Sequence, residues 1–120
     1  MQRFTDLKVW QQGHALVLKV YKLSRSLPPD ERFGLVTQLR RAVLSVPTNI
    51  AEGSKRQSRQ EFAHFLNIAE GSLVETESLL MVSRDLGFLE AKAIGEVLSD
   101  IDSLARMLHN LRMKVGQRSA

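Results

Sequence analysis

Apolar residues recur every three or four positions along almost the whole 120-residue chain, and nothing alternates with period two. That spacing marks amphipathic helices with one face turned to a core, and it predicts four helices and no strand. The first runs from about Lys8 to Leu27, with Val9, Trp10, Leu16, Val17, Val20, Tyr21, Leu23 and Leu27 in one stripe and Lys8, Lys19, Lys22 and Ser26 opposite. Leu27-Pro28-Pro29-Asp30 ends it, because the residue before a proline is pushed out of the helical region. Asp30 then offers an N-cap for a second helix, about Glu31 to Ala51, that buries Leu35, Leu39, Ala42, Val43, Val46 and Ile50.

Pro47 falls inside that second helix. It lacks the amide that would bond the Val43 carbonyl, and an interior proline costs about 3 kcal/mol unless the helix bends. The apolar register continues from Val46 to Ile50, so a kink is expected rather than a break. Gly53 is the expected terminator. Ser58-Arg59-Gln60-Glu61 then has the spacing of a capping box and opens a third helix that extends to about Leu86, with Gly87 as its cap. A fourth helix, about Glu90 to Val115, has the cleanest stripe: Ile94, Val97, Leu98, Ile101, Leu104, Ala105, Leu108, Leu111 and Val115. Helices of this size are about 30–40 Å long at 1.5 Å per residue. With short connections they suit an antiparallel up-down-up-down bundle, one domain over residues 1–115, followed by a disordered tail at 116–120.

The third helix is wider in its apolar arc than one bundle contact requires. Its core stripe is Phe62, Phe65, Leu66, Ala69, Leu73, Thr76 and Leu80. Val74 and Met81 lie to one side, sharing that flank with Glu70 and Glu77, while Ile68, Leu79, Val82 and Leu86 lie to the other. Two readings stand: ordinary rim residues, or a subunit interface in which Val74 and Met81 pack and Glu70 and Glu77 find basic partners. The pentapeptide IAEGS occurs at Ile50–Ser54 and again at Ile68–Ser72. In the second copy Gly71 is mid-helix, at a cost of about 1 kcal/mol against alanine, which close approach of a neighbouring helix at Gly71 and Ser78 would explain. Chance repetition and ancient duplication both account for the repeat.

The stretch Gln38 to Leu80, QLRRAVLSVPTNIAEGSKRQSRQEFAHFLNIAEGSLVETESLL, together with Phe4-x-x-Leu7-x-Val9-Trp10 near the start, resembles the four-helix-bundle proteins named for open reading frames in intervening sequences of bacterial 23S rRNA. The likeness extends over nearly the whole chain. It implies the same bundle and ring-shaped homopentamers, and it implies no defined activity. It extends further to the accessory proteins of diversity-generating retroelements, pentameric bundles that partner a reverse transcriptase on RNA or DNA.

Composition narrows the setting. The chain has no cysteine, which removes disulfides and thiolate metal sites and suits a reducing compartment. Strictly apolar runs reach about four residues, too short to span a bilayer, and the first residues lack a signal-peptide pattern, so a cytoplasmic protein is expected. Charge is divided unevenly. Residues 1–59 hold eleven Lys/Arg against four Asp/Glu, a formal +7, whereas residues 60–120 hold six against nine, a formal −3. Basic residues gather at Arg40, Arg41, Lys55, Arg56 and Arg59, and again at Arg106, Arg112, Lys114 and Arg118. The first group flanks the amino end of the third helix, where free amides already favour an anion. It is the candidate nucleic-acid contact, through phosphates and without base stacking, since no aromatic residue interleaves with it. The alternative is a solvated face serving a scaffold or adaptor, with charge used only for assembly.

Catalytic signatures are absent. Glu61-Phe62-Ala63-His64 has the Glu-x-x-His spacing of di-iron bundles, but such a site needs a second motif and a Glu from each remaining helix. The first helix contains no Asp or Glu between Lys8 and Leu27, so no metal site is assigned. His14 borders the first core stripe, and His109 has no carboxylate three or four residues away. No nucleophile elbow, phosphate-cradling glycine loop or His-x-x-x-His occurs. The expectation is a non-enzymatic protein without a cofactor.

Overall fold

A computed structural model describes residues 3–116, in which every regular element is helical. Four α-helices, α1 (Lys8–Ser24), α2 (Leu35–Ser54), α3 (Arg59–Asp85) and α4 (Ala91–Gly116), are accompanied by single 3-10 turns at Phe4–Asp6 and Pro29–Glu31. Both α1 and α3 pack against α2 and α4, so the helices form a four-sided bundle measuring 49 × 22 × 20 Å. Side-chain contacts run in opposite order along successive helices, as antiparallel neighbours require. Gly13 lies against Val46 while Ser24 meets Arg40; Ser45 meets Ser72 while Gly53 abuts Phe65; Arg59 reaches Val115 while Glu70 pairs with Arg112.

The core follows the stripes. Val20, Leu39, Val43, Val46, Ile50, Leu66, Leu73, Leu80, Ile94, Leu104 and Leu108 are all sealed from solvent. Polar residues enter it with their hydroxyls already bonded: Thr76 donates to the Ser72 carbonyl at 2.8 Å, Ser83 to that of Leu79 at 2.8 Å, and Ser24 to that of Tyr21 at 2.7 Å. Each such bond removes the desolvation cost that an unpaired hydroxyl would carry. Helix α2 passes through Pro47 without reversal, and Val46, Pro47 and Ile50 are buried together.

Capping explains several boundaries. The Ser58 hydroxyl accepts from the Glu61 amide at 3.0 Å and faces the Glu61 carboxylate at 3.2 Å, fixing the start of α3. At its other end Gly87 adopts φ +81°, the Phe88 amide bonds the Ser83 carbonyl at 2.9 Å, and the Gly87 amide bonds that of Arg84 at 2.9 Å. That is a Schellman ending, which the left-handed glycine makes possible.

Five expectations need correction. Helix α1 stops at Ser24, because Ser26 and Leu27 switch to i→i−3 bonds that swing Leu27 into the core. Helix α2 starts at Leu35, not Glu31: Pro28 to Gly34 wind as tight turns, and the Glu31 carboxylate, rather than Asp30, accepts from the Leu35 amide at 3.3 Å. Gly53 does not end α2; it is buried inside it, where a Cβ would stand 2.6 Å from Phe65 Cβ and 3.1 Å from Phe62 Cδ1. Gly71, by contrast, is exposed and a Cβ there would meet nothing within 4 Å, while Ser78 is exposed as well. The close helix approach belongs to the first IAEGS and not the second. Gly116 closes α4 as a helical residue, and the rest of the expected tail lies outside the described residues.

Candidate interaction surfaces

The basic residues picked out by sequence do not converge. Arg40 and Lys55 are fifteen residues apart on α2 and its end, about 22 Å along the axis. Arg40 turns toward α1, where its Nε donates to the Ser24 hydroxyl at 2.9 Å and its guanidinium lies 4.7 Å from the Tyr21 ring centroid. Arg41 faces the opposite seam, beside Gln38, Ser45, Ser72 and Glu75. Arg56 pairs with Glu52 at 2.9 Å and covers the Phe65 ring at 4.7 Å. Arg59 donates to the Val115 carbonyl at 3.2 Å, satisfying an end group of α4. Among the described residues Arg41 and Lys55 make no ion pair. Lys55, Arg56 and Arg59 do share the α2–α3 turn, and an aromatic ring from α3 lies beneath that turn, which linear spacing did not reveal.

The third-helix flank is where the sequence placed it. Val74 retains 63% of its surface and Met81 40%, so both leave apolar surface in water. Glu70 shares the flank but is only 20% exposed at its side chain, held by Arg112 of α4. That contact identifies the flank as the α3–α4 side. Glu77 is half-buried and makes no ion pair among the described residues. On the other side of α3, Ile68, Val82 and Leu86 are exposed too.

Tertiary packing creates two groupings that spacing concealed. His109 lies 3.8 Å from Glu70 and 3.3 Å from Arg112, so the carboxylate that His109 lacks three or four residues away on its own helix arrives from α3. On the α1–α2 side, Trp10 stacks on His14 with centroids 4.8 Å apart and takes the Phe4 ring edge-on at 5.2 Å. These rings, with Val17 on α1 and Leu44, Pro47, Thr48 and Ala51 on α2, line a shallow, mostly apolar groove with Glu52 and Lys55 at one end. The signal for it was legible in retrospect: Trp10 and Val17 lie with His14 at helical spacing along one edge of the first stripe.

Glu61 and His64 do not converge on a common site. Glu61 caps α3, and His64 lies edge-on to Phe65 with centroids 5.7 Å apart. Among the described residues no group of three or more His, Asp or Glu is placed to hold a metal ion, and no helix is long and apolar enough to cross a membrane.

Comparison with known proteins agrees with the fold. The family model described as 23S rRNA-intervening sequence protein matches residues 5–110. A crystal structure of a protein of unknown function from the S23 ribosomal protein family of Bacteroides thetaiotaomicron superposes with a TM-score of 0.80, at 23% identity, covering 87% of this chain and 97% of that one. Among curated proteins no match is found.

Proposed function

Because the chain belongs to the 23S rRNA-intervening sequence protein family, we propose that it is a non-enzymatic bundle that works as a homo-oligomer, through the α3 flank that carries Val74 and Met81. The observation behind this reading is the exposure of those two side chains, 63% and 40%, on a helix whose core stripe is already filled by Leu66, Leu73 and Leu80. Apolar surface left in water is recovered by association, at about 25 cal/mol per Å². The family resemblance makes five the first copy number to test. Light scattering decides the matter: a mass near the 13.5 kDa of one chain at micromolar concentration refutes assembly.

A second reading has its own support at the α2–α3 turn. Lys55 is exposed, makes no ion pair among the described residues, and lies beside Arg56 and Arg59 at the amino end of α3, where a phosphate of RNA or DNA would meet free amides as well as cations. Arg40 and Arg41 stand about 20 Å along α2 from Lys55 and do not join that contact. Repetition of the turn around an oligomer would let several copies grip one strand or assist a nucleic-acid enzyme. Fluorescence anisotropy with random RNA and DNA should show binding that weakens steeply with salt and is lost on reversing Lys55 and Arg56 to Glu. Absence of binding at low salt leaves the scaffold reading alone.

A further inference from the structure

We propose that the contact between copies joins unlike faces: the α3 flank of one copy seats in the α1–α2 groove of the next. This inference rests on the self-assembly reading above and names the partner of that flank. Three observations carry it.

The two surfaces lie on opposite sides of the bundle. The flank is on the α3–α4 side, as the Glu70–Arg112 pair shows, whereas the groove is bounded by α1 and α2. A copy that gives one surface therefore keeps the other free to receive.

Their dimensions agree. Glu70 to Met81 on α3, and Leu44 on α2 to Lys55 at its end, are each eleven steps long, about 16 Å at 1.5 Å per residue. Leu44, 42% exposed, gives the groove an open apolar wall for Val74 and Met81.

Their charges are complementary. The segment holding α1, α2 and the turn to α3 is formally +7, and the remainder is −3. At one end of the groove Glu52 is already paired with Arg56, which leaves Lys55 beside it without an ion pair among the described residues, and Arg40 lies over Tyr21, one turn beyond Val17. Glu77 on the flank makes no ion pair within its own chain among the described residues. A like-to-like contact through α3 would instead set Glu70 and Glu77 against their own copies, and like charges brought together oppose association.

The test uses two single variants of the full chain, Val74→Lys on the flank and Leu44→Lys on the groove. Both positions are exposed and lysine is a good helix former, so circular dichroism should be unchanged. Thr48→Lys, on the same wall, replaces Leu44→Lys if helicity is lost. Each variant alone should weaken association at least about 30-fold and sediment as a single chain. Mixed in equal amounts they retain one intact junction, the groove of Val74→Lys with the flank of Leu44→Lys, and should form a two-chain species and nothing larger.

Wild-type mass in Leu44→Lys alone overturns the groove as partner while leaving assembly through α3 intact. Wild-type mass in Val74→Lys overturns the flank itself, and with it both readings. Two single-chain variants that give no two-chain species on mixing overturn the direct junction. A single-chain wild type overturns self-assembly altogether.

Discussion

Replacing Gly53 and Gly71 by alanine, one at a time, should move stability in opposite directions although both glycines occur in the same pentapeptide. At Gly71 the new methyl points into open space, and removing a glycine from a helix interior stabilises by about 0.5–1 kcal/mol. At Gly53 the methyl would lie 2.6 Å from Phe65 Cβ, against the 3.5–4.0 Å that two carbons prefer. A Cβ is anchored to its backbone, so α2 and α3 must separate by close to 1 Å or Phe65 must be re-seated. Overpacking of this kind costs about 1–3 kcal/mol. The propensity gain is small at Gly53, one residue from the end of α2, so the net loss should be about 1–2 kcal/mol. The two variants should thus differ by roughly 2 kcal/mol, or roughly 6–10 °C in Tm for a chain of this size. Urea denaturation followed by circular dichroism measures it, at one fixed protein concentration because assembly makes stability depend on concentration. Shifts of the same sign, or a Gly53→Ala protein as stable as wild type, would refute the assignment of the close helix approach to Gly53.

Ser58→Ala should cost about 1 kcal/mol by removing the acceptor for the Glu61 amide, and Ser58→Asp should restore most of it, both read from urea midpoints. Arg112→Met should cost roughly 1–2 kcal/mol, between the surface and buried limits for ion pairs, because it strands a Glu70 carboxylate that is mostly covered. The double change with Glu70→Gln should recover part of that loss, and additive losses in the double-mutant cycle would contradict a direct pair. The Lys19 ammonium is held above the ordinary lysine value of 10.5 by its hydrogen bond to Asp100 and then by that to Glu96. A raised folded pKa contributes stability that is fully present below 10.5 and lost as pH rises through the folded value. Wild type and Lys19→Gln should therefore differ by a constant amount from pH 6 to 9 and converge in strong alkali; a gap that widens with alkali would be inconsistent.

Much of the bundle was legible from local chemistry alone. Helix periodicity depends on neighbours three and four residues away, so the stripes through Leu39, Val43, Val46 and Ile50, or Ile94, Ile101 and Leu108, identify buried faces before any packing is known. The same holds for Ser58 with Glu61 and for Gly87, whose roles are completed within one turn. The exposure of Val74 and Met81 was legible too, because a stripe can be seen to be full.

Tertiary structure decided whatever depends on which helices become neighbours. Two copies of IAEGS differ because one meets Phe65 across a helix pair and the other meets solvent. Adjacent Arg40 and Arg41 part company because a 100° step sends one to α1 and the other to the α3 seam. Glu70 found Arg112 and His109 from forty residues away, and the Trp10 groove exists only because Leu44 and Thr48 arrive opposite it. A pattern in one dimension records which side of each helix is apolar. The partners across each seam are set by how the helices dock, and the surfaces available for binding come from that docking.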